Sequence, residues 1–322
     1  MSTTINNIIR AVEDYYDADI YVIPSGIDDN VANLVSFWTH NSEIKKHKNF
    51  ILMLRTYGGY PDSAYKIART FQMAYNCPNS SLNDTEKKDC GKFYLFVNGP
   101  CKSAGTLIAT AADVYLLTDG AEFGPIDAQI RKPDEAGERT SGLVTMEAFD
   151  PLRIQALRTF CSIFSHLRQD GDFGLSSKMA AEIANNLTVG LMAPVYAQID
   201  PLRVAELDRI LRIGAGYAER LSHGNLRDGA IGILLAGYPS HGFVIDFDEA
   251  KRILFKEVEE PLDALKILGE FFCSVDEKGE GRCLYLKEVL PEKTEADHVG
   301  KADEASCANP GNGEIEAPKN SE

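Results

Sequence analysis

Three features of the chain predict a layered α/β fold. Short apolar runs recur along its first half, at Asp19–Ile23, Phe50–Leu54, Phe93–Val97 and Val114–Leu117. Their aromatic and β-branched residues favour buried strands. Between them lie segments with helical spacing, as in Ser63–Phe71, where Ala64, Ile67, Ala68 and Phe71 share one face. Such alternation argues for helices stacked on a sheet. A hydrophobic content of 44% over 322 residues is enough for a sizeable core.

Composition also narrows the partners. The net charge is −15 and the isoelectric point is near 4.9. That balance argues against nucleic acid or an anionic membrane as the principal partner. The seven cysteines form no CxxC pair and no zinc-like spacing, so they read as reduced thiols of a cytoplasmic protein. No cluster of His, Cys, Asp and Glu has metal-ligand spacing, and no metal is expected. Neither a GxGxxG after a strand nor a Walker loop is present, so no nucleotide cofactor is expected either. The first ten residues hold one arginine and no apolar core of signal-peptide length, and no apolar run is long enough to cross a bilayer. A soluble protein with no membrane insertion is expected.

Taken in order, residues 5–16 read as a short helix, Asp19–Ile23 as the first strand and Val31–Trp38 as a second helix. His40–Asn49 is a polar, lysine-rich connection whose His40 and His47 read as solvated. The strand Phe50–Leu54 runs into Arg55-Thr56-Tyr57-Gly58-Gly59-Tyr60-Pro61 and then a helix. A glycine pair there lets the backbone turn sharply and leaves N–H groups open to an anion or a polarised carbonyl. Cys77–Gly91 reads as a surface insertion with Cys77 and Cys90 as unpaired thiols. After Phe93–Val97, Asn98-Gly99-Pro100 signals a turn. Cys101-Lys102-Ser103-Ala104-Gly105-Thr106 then opens a helix of small residues reaching Ala112. Ser103 stands at its N-cap. Its hydroxyl would lie beside unpaired N–H groups and the positive end of the helix dipole, which favour a developing negative charge. A simple cap and a reactive serine are both compatible with that position.

Farther on, Ala121–Ile126 reads as a turn and Arg131–Ser141 as a charged, mobile loop. Asp150-Pro151 and Asp200-Pro201 each read as an N-cap followed by proline at the first helical position. They open helices at 151–168 and 201–221, with another at 176–186 between them. This helical segment, about 150–235, could build an oligomer interface or pack on its own core. Arg252–Phe255 and Leu262–Phe272 close the globule, and Cys283–Leu290 reads as a final strand or hairpin. From Pro291 the chain is polar and acidic and is expected to be disordered. The domain is therefore 1–290, followed by an acidic tail at 291–322.

The order strand–Gly58-Gly59–helix, then Gly99-Pro100-x-x-Ser103-Ala104-Gly105-Thr106, then Ala112-Asp113 and Phe123-Gly124-Pro125-Ile126-Asp127, resembles the ClpP/crotonase superfamily. Within it the chain is most similar to the serine dehydrogenase proteinase family, related to signal peptide peptidase A and the proteolytic subunit of Clp. The resemblance covers roughly residues 18–130 and resumes at Tyr238–Ile245 and Asp248–Lys251; the middle, about 131–235, matches by position only. It implies a ClpP/crotonase-like spiral of ββα units with an added helical segment. It also implies a serine-type endopeptidase that cleaves peptide or protein substrates through an acyl-enzyme on Ser103. The oxyanion hole would be formed by the N–H groups of Gly59 and Ala104, and a homo-oligomer, a trimer or larger ring or stack, would be the assembly.

The chain departs from the Clp pattern in having no histidine within Phe123–Asp127. His241, near the position of the Clp triad aspartate, is the candidate base. Lys178 is the alternative, with Lys132, by analogy with the lysine base of signal peptide peptidase. Asp127 could orient a base or cap a turn. Lys102, adjacent to Ser103, is expected to point elsewhere, and Cys101 ranks below Ser103 as nucleophile. Two other functions fit the same residues: a crotonase-like acyl-thioester enzyme that uses the hole without a covalent serine, and a catalytically inactive scaffold.

Overall fold

Parallel strands added in chain order build the main sheet. In the computed structural model, β1 (Ala18–Ile23), β2 (Asn49–Leu54) and β3 (Phe93–Val97) are successive parallel neighbours. After a two-residue strand β4 (Pro100–Cys101), β5 (Val114–Leu117) adds to β3. Farther along the chain, β9 (Val258–Glu259) extends the sheet beyond β5, and β10 (Leu284–Tyr285) closes the other edge antiparallel to β1. The structure describes residues 2–41, 47–77, 90–126, 129–131, 139–141, 149–169, 174–273 and 281–289. All lie within the unit Met1–Leu290; the tail from Pro291 lies outside the described residues.

Both faces of the sheet are covered, which is why its strands read as unbroken apolar runs. Tyr21, Leu52, Leu95, Val97 and Tyr115 point to one face. There α2 (Asp29–His40), α3 (Pro61–Ala74) and α4 (Ala104–Ala109) pack over them. Ile20, Val22, Ile51, Met53, Phe96 and Leu116 point to the other, beneath α1 (Ser2–Tyr16) and α9 (Asp263–Phe272). Local signals start the helices where they are needed. Asp28 caps α2 by accepting the Val31 N–H at 2.9 Å, and Pro61 stands in the first turn of α3.

A second, narrower ladder runs beside the main sheet. It consists of single bridges from Ile27 to Gly59, Thr56 to Cys101 and Phe123 to Ile245, with the short pair β4–β6 (Glu122–Phe123) between them. Each main strand from β1 to β5 is thus followed by a contact in this small layer and then, through β3, by a helix on one face. The ladder holds the site described below.

The helical segment comprises α5 (Phe149–Gln169), α6 (Ser177–Tyr196), α7 (Pro201–Leu221) and α8 (Ala230–Ala236). α5 and α6 pack on one another, whereas α7 packs on α3 and α4. Asp200 caps α7 with Pro201 behind it, as expected. Three expectations need correction. Asp150 lies inside a helix that begins at Phe149, so it is not its N-cap. α6 continues past Asn186 to Tyr196 even though Pro194 stands inside its last turn, where the missing N–H leaves the Gly190 carbonyl without its intrahelical donor. The ends of the 131–141 segment pair as an antiparallel ribbon, β7 (Gln129–Arg131) with β8 (Arg139–Ser141).

His47 is not solvated. Asp19 is fully buried at the start of β1, and it accepts the His47 ring N–H at 2.9 Å and the Tyr75 hydroxyl at 2.8 Å. A buried carboxylate must be partnered, and this one recruits the histidine from the connecting segment. His40, by contrast, is exposed. Cys77 and Cys90 are not joined by a disulfide.

Buried Gln72 of α3 ties α4 to α7. Its amide donates to Ala111 O at 3.3 Å, just past the end of α4, and to Leu221 O at 2.9 Å, the last carbonyl of α7. Gln72→Leu should remove the donor from buried Ala111 O and leave Leu221 O only the 3.4 Å contact with His223 Nδ1, and lower the unfolding free energy in urea titration by about 1–3 kcal/mol.

Candidate active site

The site forms where two neighbouring chain segments part. At Thr56 they are paired: its N–H donates to Pro100 O at 2.7 Å, and the Lys102 N–H donates to Thr56 O at 2.9 Å. Two residues later the first segment has changed neighbours. The Ile27 N–H donates to Gly58 O at 2.9 Å and the Tyr60 N–H to Ile27 O at 2.8 Å. This change needs backbone angles that side-chain-bearing residues rarely adopt, φ +121° at Gly58 and +154° at Gly59. It also needs close approach. A Cβ on Gly59 would stand 2.0 Å from Ile27 O, and one on Gly58 would stand 2.9 Å from Ser103 Cβ.

A trans peptide points its C=O and N–H in opposite directions. With Gly58 O held by Ile27, the Gly59 N–H is turned away from Ile27 and into the gap left by the parting segments. Among the described residues it has no hydrogen-bond partner, and neither has the Ala104 N–H across the gap.

Ser103 stands at this gap on the turn from β4 into α4. Its φ of +52° and ψ of −110° lie outside the regions open to ordinary residues, a conformation that costs about 1–3 kcal/mol. The simple-cap reading fails: the side chain makes no capping bond, and among the described residues the half-buried hydroxyl has no partner. A serine on a sharp strand-to-helix turn is how several hydrolases present a nucleophile. α4 is only six residues long, so the free N–H at its start matters more here than a helix dipole.

The neighbours of Ser103 are engaged elsewhere. Cys101 is fully buried, and burial pushes its thiol far above the ordinary range, which removes it as a nucleophile. Its carbonyl accepts the Thr106 hydroxyl at 2.9 Å, and Thr106 in turn accepts the Gly124 N–H at 3.2 Å. Lys102 points away, as expected, with its ammonium 3.3 Å from Glu122 Oε2.

The candidate bases are placed unequally. His241 is half-buried in a turn four residues before Ile245. Ile245 exchanges backbone hydrogen bonds of 2.8 and 3.0 Å with Phe123, the residue paired with Cys101. The Phe243–Ile245 stretch joins the small ladder by this single bridge and forms no strand of the main sheet. No hydrogen bond joins His241 to Ser103. Lys178 is exposed on the first turn of α6, where α5 is the main packing partner. Lys132 and Asp127 lie outside the described residues.

Two participants carry no signal in the sequence. Ile27 contributes only backbone atoms, so no side-chain motif marks it. Glu122 meets Lys102 from twenty residues away through the β4–β6 register. Among the described residues no group of three or more His, Cys, Asp or Glu could hold a metal ion, and no helix is long and apolar enough to cross a membrane.

No protein-family model matches the chain, and no curated protein matches it. Among solved structures it is similar to a mutant of the 1510-N membrane-bound stomatin-specific protease. The identity is 16% and the TM-score 0.30, over 52% of this chain and 69% of that one. A likeness that slight carries no argument about fold or activity.

The thiols offer a check on this arrangement. Burial lifts Cys273 to about 12 and Cys101 higher still, whereas Cys161 is exposed. Iodoacetamide at pH 8 should therefore modify Cys161 in the native protein and spare Cys101 and Cys273 until denaturant is added, as read by peptide mass mapping.

Proposed function

We propose that the chain is a serine peptidase of ClpP/crotonase-like architecture that hydrolyses peptide bonds through an acyl-enzyme on Ser103. The observation that carries this reading is the meeting, at the Gly59–Ser103 gap, of a strained serine hydroxyl with two N–H groups, all three without a partner among the described residues. Support for the spiral architecture comes from the small ladder beside the sheet, to which each successive unit adds one contact.

In the proposed reaction the substrate carbonyl oxygen lies between the Gly59 and Ala104 N–H groups. Ser103 Oγ attacks the carbonyl carbon, and the two donors stabilise the resulting oxyanion. Such a donor is typically worth about 3 kcal/mol in the transition state, because it is aimed before the charge develops. An unassisted hydroxyl is a poor nucleophile, so a base must take its proton and return it to the leaving amine. His241 is the proposed base, since the Ile245–Phe123–Cys101 contacts anchor its turn to the ladder that carries Ser103. Water then attacks the ester and releases the acid. No cofactor enters the scheme. Self-association is proposed through α5 and α6, which expose Leu157, Leu187 and Leu191. The reduced cysteines suit a cytoplasmic setting.

An acyl-thioester enzyme would use the same two N–H groups without covalent attachment to Ser103, and an inactive scaffold would leave the hydroxyl unreactive. A fluorophosphonate probe separates these readings. Labelling should be confined to the Ser103 peptide and absent from Ser103→Ala. It should fall about a hundredfold in His241→Ala and stay unchanged in Lys178→Ala. Failure of the folded wild type to label at any pH from 6 to 9 would overturn the peptidase reading.

A further inference from the structure

The residue before the serine is held on every side, and the scheme above gives it no role. Both backbone groups of Lys102 are bonded, its N–H to Thr56 O and its carbonyl to the Gly105 N–H, each at 2.9 Å. Its side chain lies over Gly124, where an added Cβ would come within 3.2 Å of Lys102 Cβ and 3.3 Å of Cγ. Its ammonium then reaches Glu122 at 3.3 Å, with the lysine side chain 16% exposed and the glutamate 41%. Glu122 is itself anchored, because its N–H donates to Gly99 O at 3.0 Å.

We infer that Lys102 and Glu122 are positioning residues that hold Ser103 in its positive-φ conformation. The inference rests on Ser103 being the nucleophile. The physical argument is that relaxing Ser103 toward an ordinary conformation requires rotation of the Lys102–Ser103 peptide. The carbonyl of that peptide is fixed by Gly105, and the side chain of Lys102 is fixed by Gly124 and Glu122. The backbone bonds alone would remain in any variant; the ion pair is the removable part. It closes a ring running from Glu122 through β6 and β4 to Lys102, so relaxing the turn opens the ring. A surface-type pair of this exposure contributes little to global stability, so its effect concentrates on the local turn.

The test uses the full chain with Lys102→Met, which keeps the apolar stem, Glu122→Gln, and Lys102→Arg as the conservative rescue. Fluorophosphonate labelling should slow about tenfold in Lys102→Met and Glu122→Gln, and return toward the wild-type rate in Lys102→Arg. Melting temperatures should stay within about 2 °C of wild type. Added salt should slow wild-type labelling but leave the two slow variants flat, because only the wild type has an ion pair to screen. In hydrogen exchange, amides 103–106 should exchange faster in both slow variants. Wild-type labelling rates in the variants would overturn the inference, as would unchanged exchange at 103–106. If the wild type does not label, the peptidase reading falls; exchange at 103–106 then decides the clamp alone, faster in Lys102→Met upholding it and unchanged overturning it.

Discussion

The Ile27 N–H to Gly58 O hydrogen bond, 2.9 Å long, is the contact on which the site depends. It belongs to a bridge one residue wide, yet it sets the orientation of the Gly58–Gly59 peptide. Because a trans peptide is rigid, fixing the carbonyl fixes the N–H on its other side. The Gly59 N–H therefore faces the gap and the Ser103 turn, not the segment that flanks it. Without that bond the peptide plane could rotate, and the gap would offer a carbonyl oxygen to an oxyanion. The glycines follow from the same constraint. Gly58 has no room for a Cβ beside Ser103, and Gly59 has none beside Ile27.

The remaining architecture serves to bring three distant pieces of chain to this point. Parallel pairing of β1, β2 and β3 in register places their C-terminal ends side by side. The segments leaving those ends hold Ile27, Gly58–Gly59 and Ser103. Buried side chains on both faces make the platform stiff, including Phe50 stacked between Phe71 and Phe93 at 4.8 and 4.4 Å. Gln72 joins the helices that follow the glycine pair and the serine to α7, so the two halves of the gap share one brace. Strain at Ser103 can persist because its surroundings are fixed independently of it.

Much of this was legible in the sequence. Buried parallel strands announce themselves as apolar runs, and Gly58–Gly59 and Ser103-Ala104-Gly105 stood out as strand-to-helix turns. What escaped has physical reasons. A hydroxyl at an N-cap position looks the same whether it caps or not, and only the backbone angles of Ser103 separate the two. Single-residue bridges such as Ile27–Gly59 leave no periodic pattern. His47 reads as polar and solvated until the burial of Asp19 demands a partner. The pairing of Lys102 with Glu122 depends on the β4–β6 register, and two-residue strands carry no sequence signature of their own.

The central claim is that the Gly59 and Ala104 N–H groups converge on an atom bonded to Ser103. A crystal structure of the protein with a peptide boronic acid tests it most directly, because the tetrahedral boronate mimics the oxyanion adduct. The account predicts a covalent bond from Ser103 Oγ to boron, with one boronate oxygen about 2.7–3.1 Å from both nitrogens. A boronate oxygen turned to solvent, a Gly59 N–H bonded elsewhere, or boron attached to another residue would contradict it.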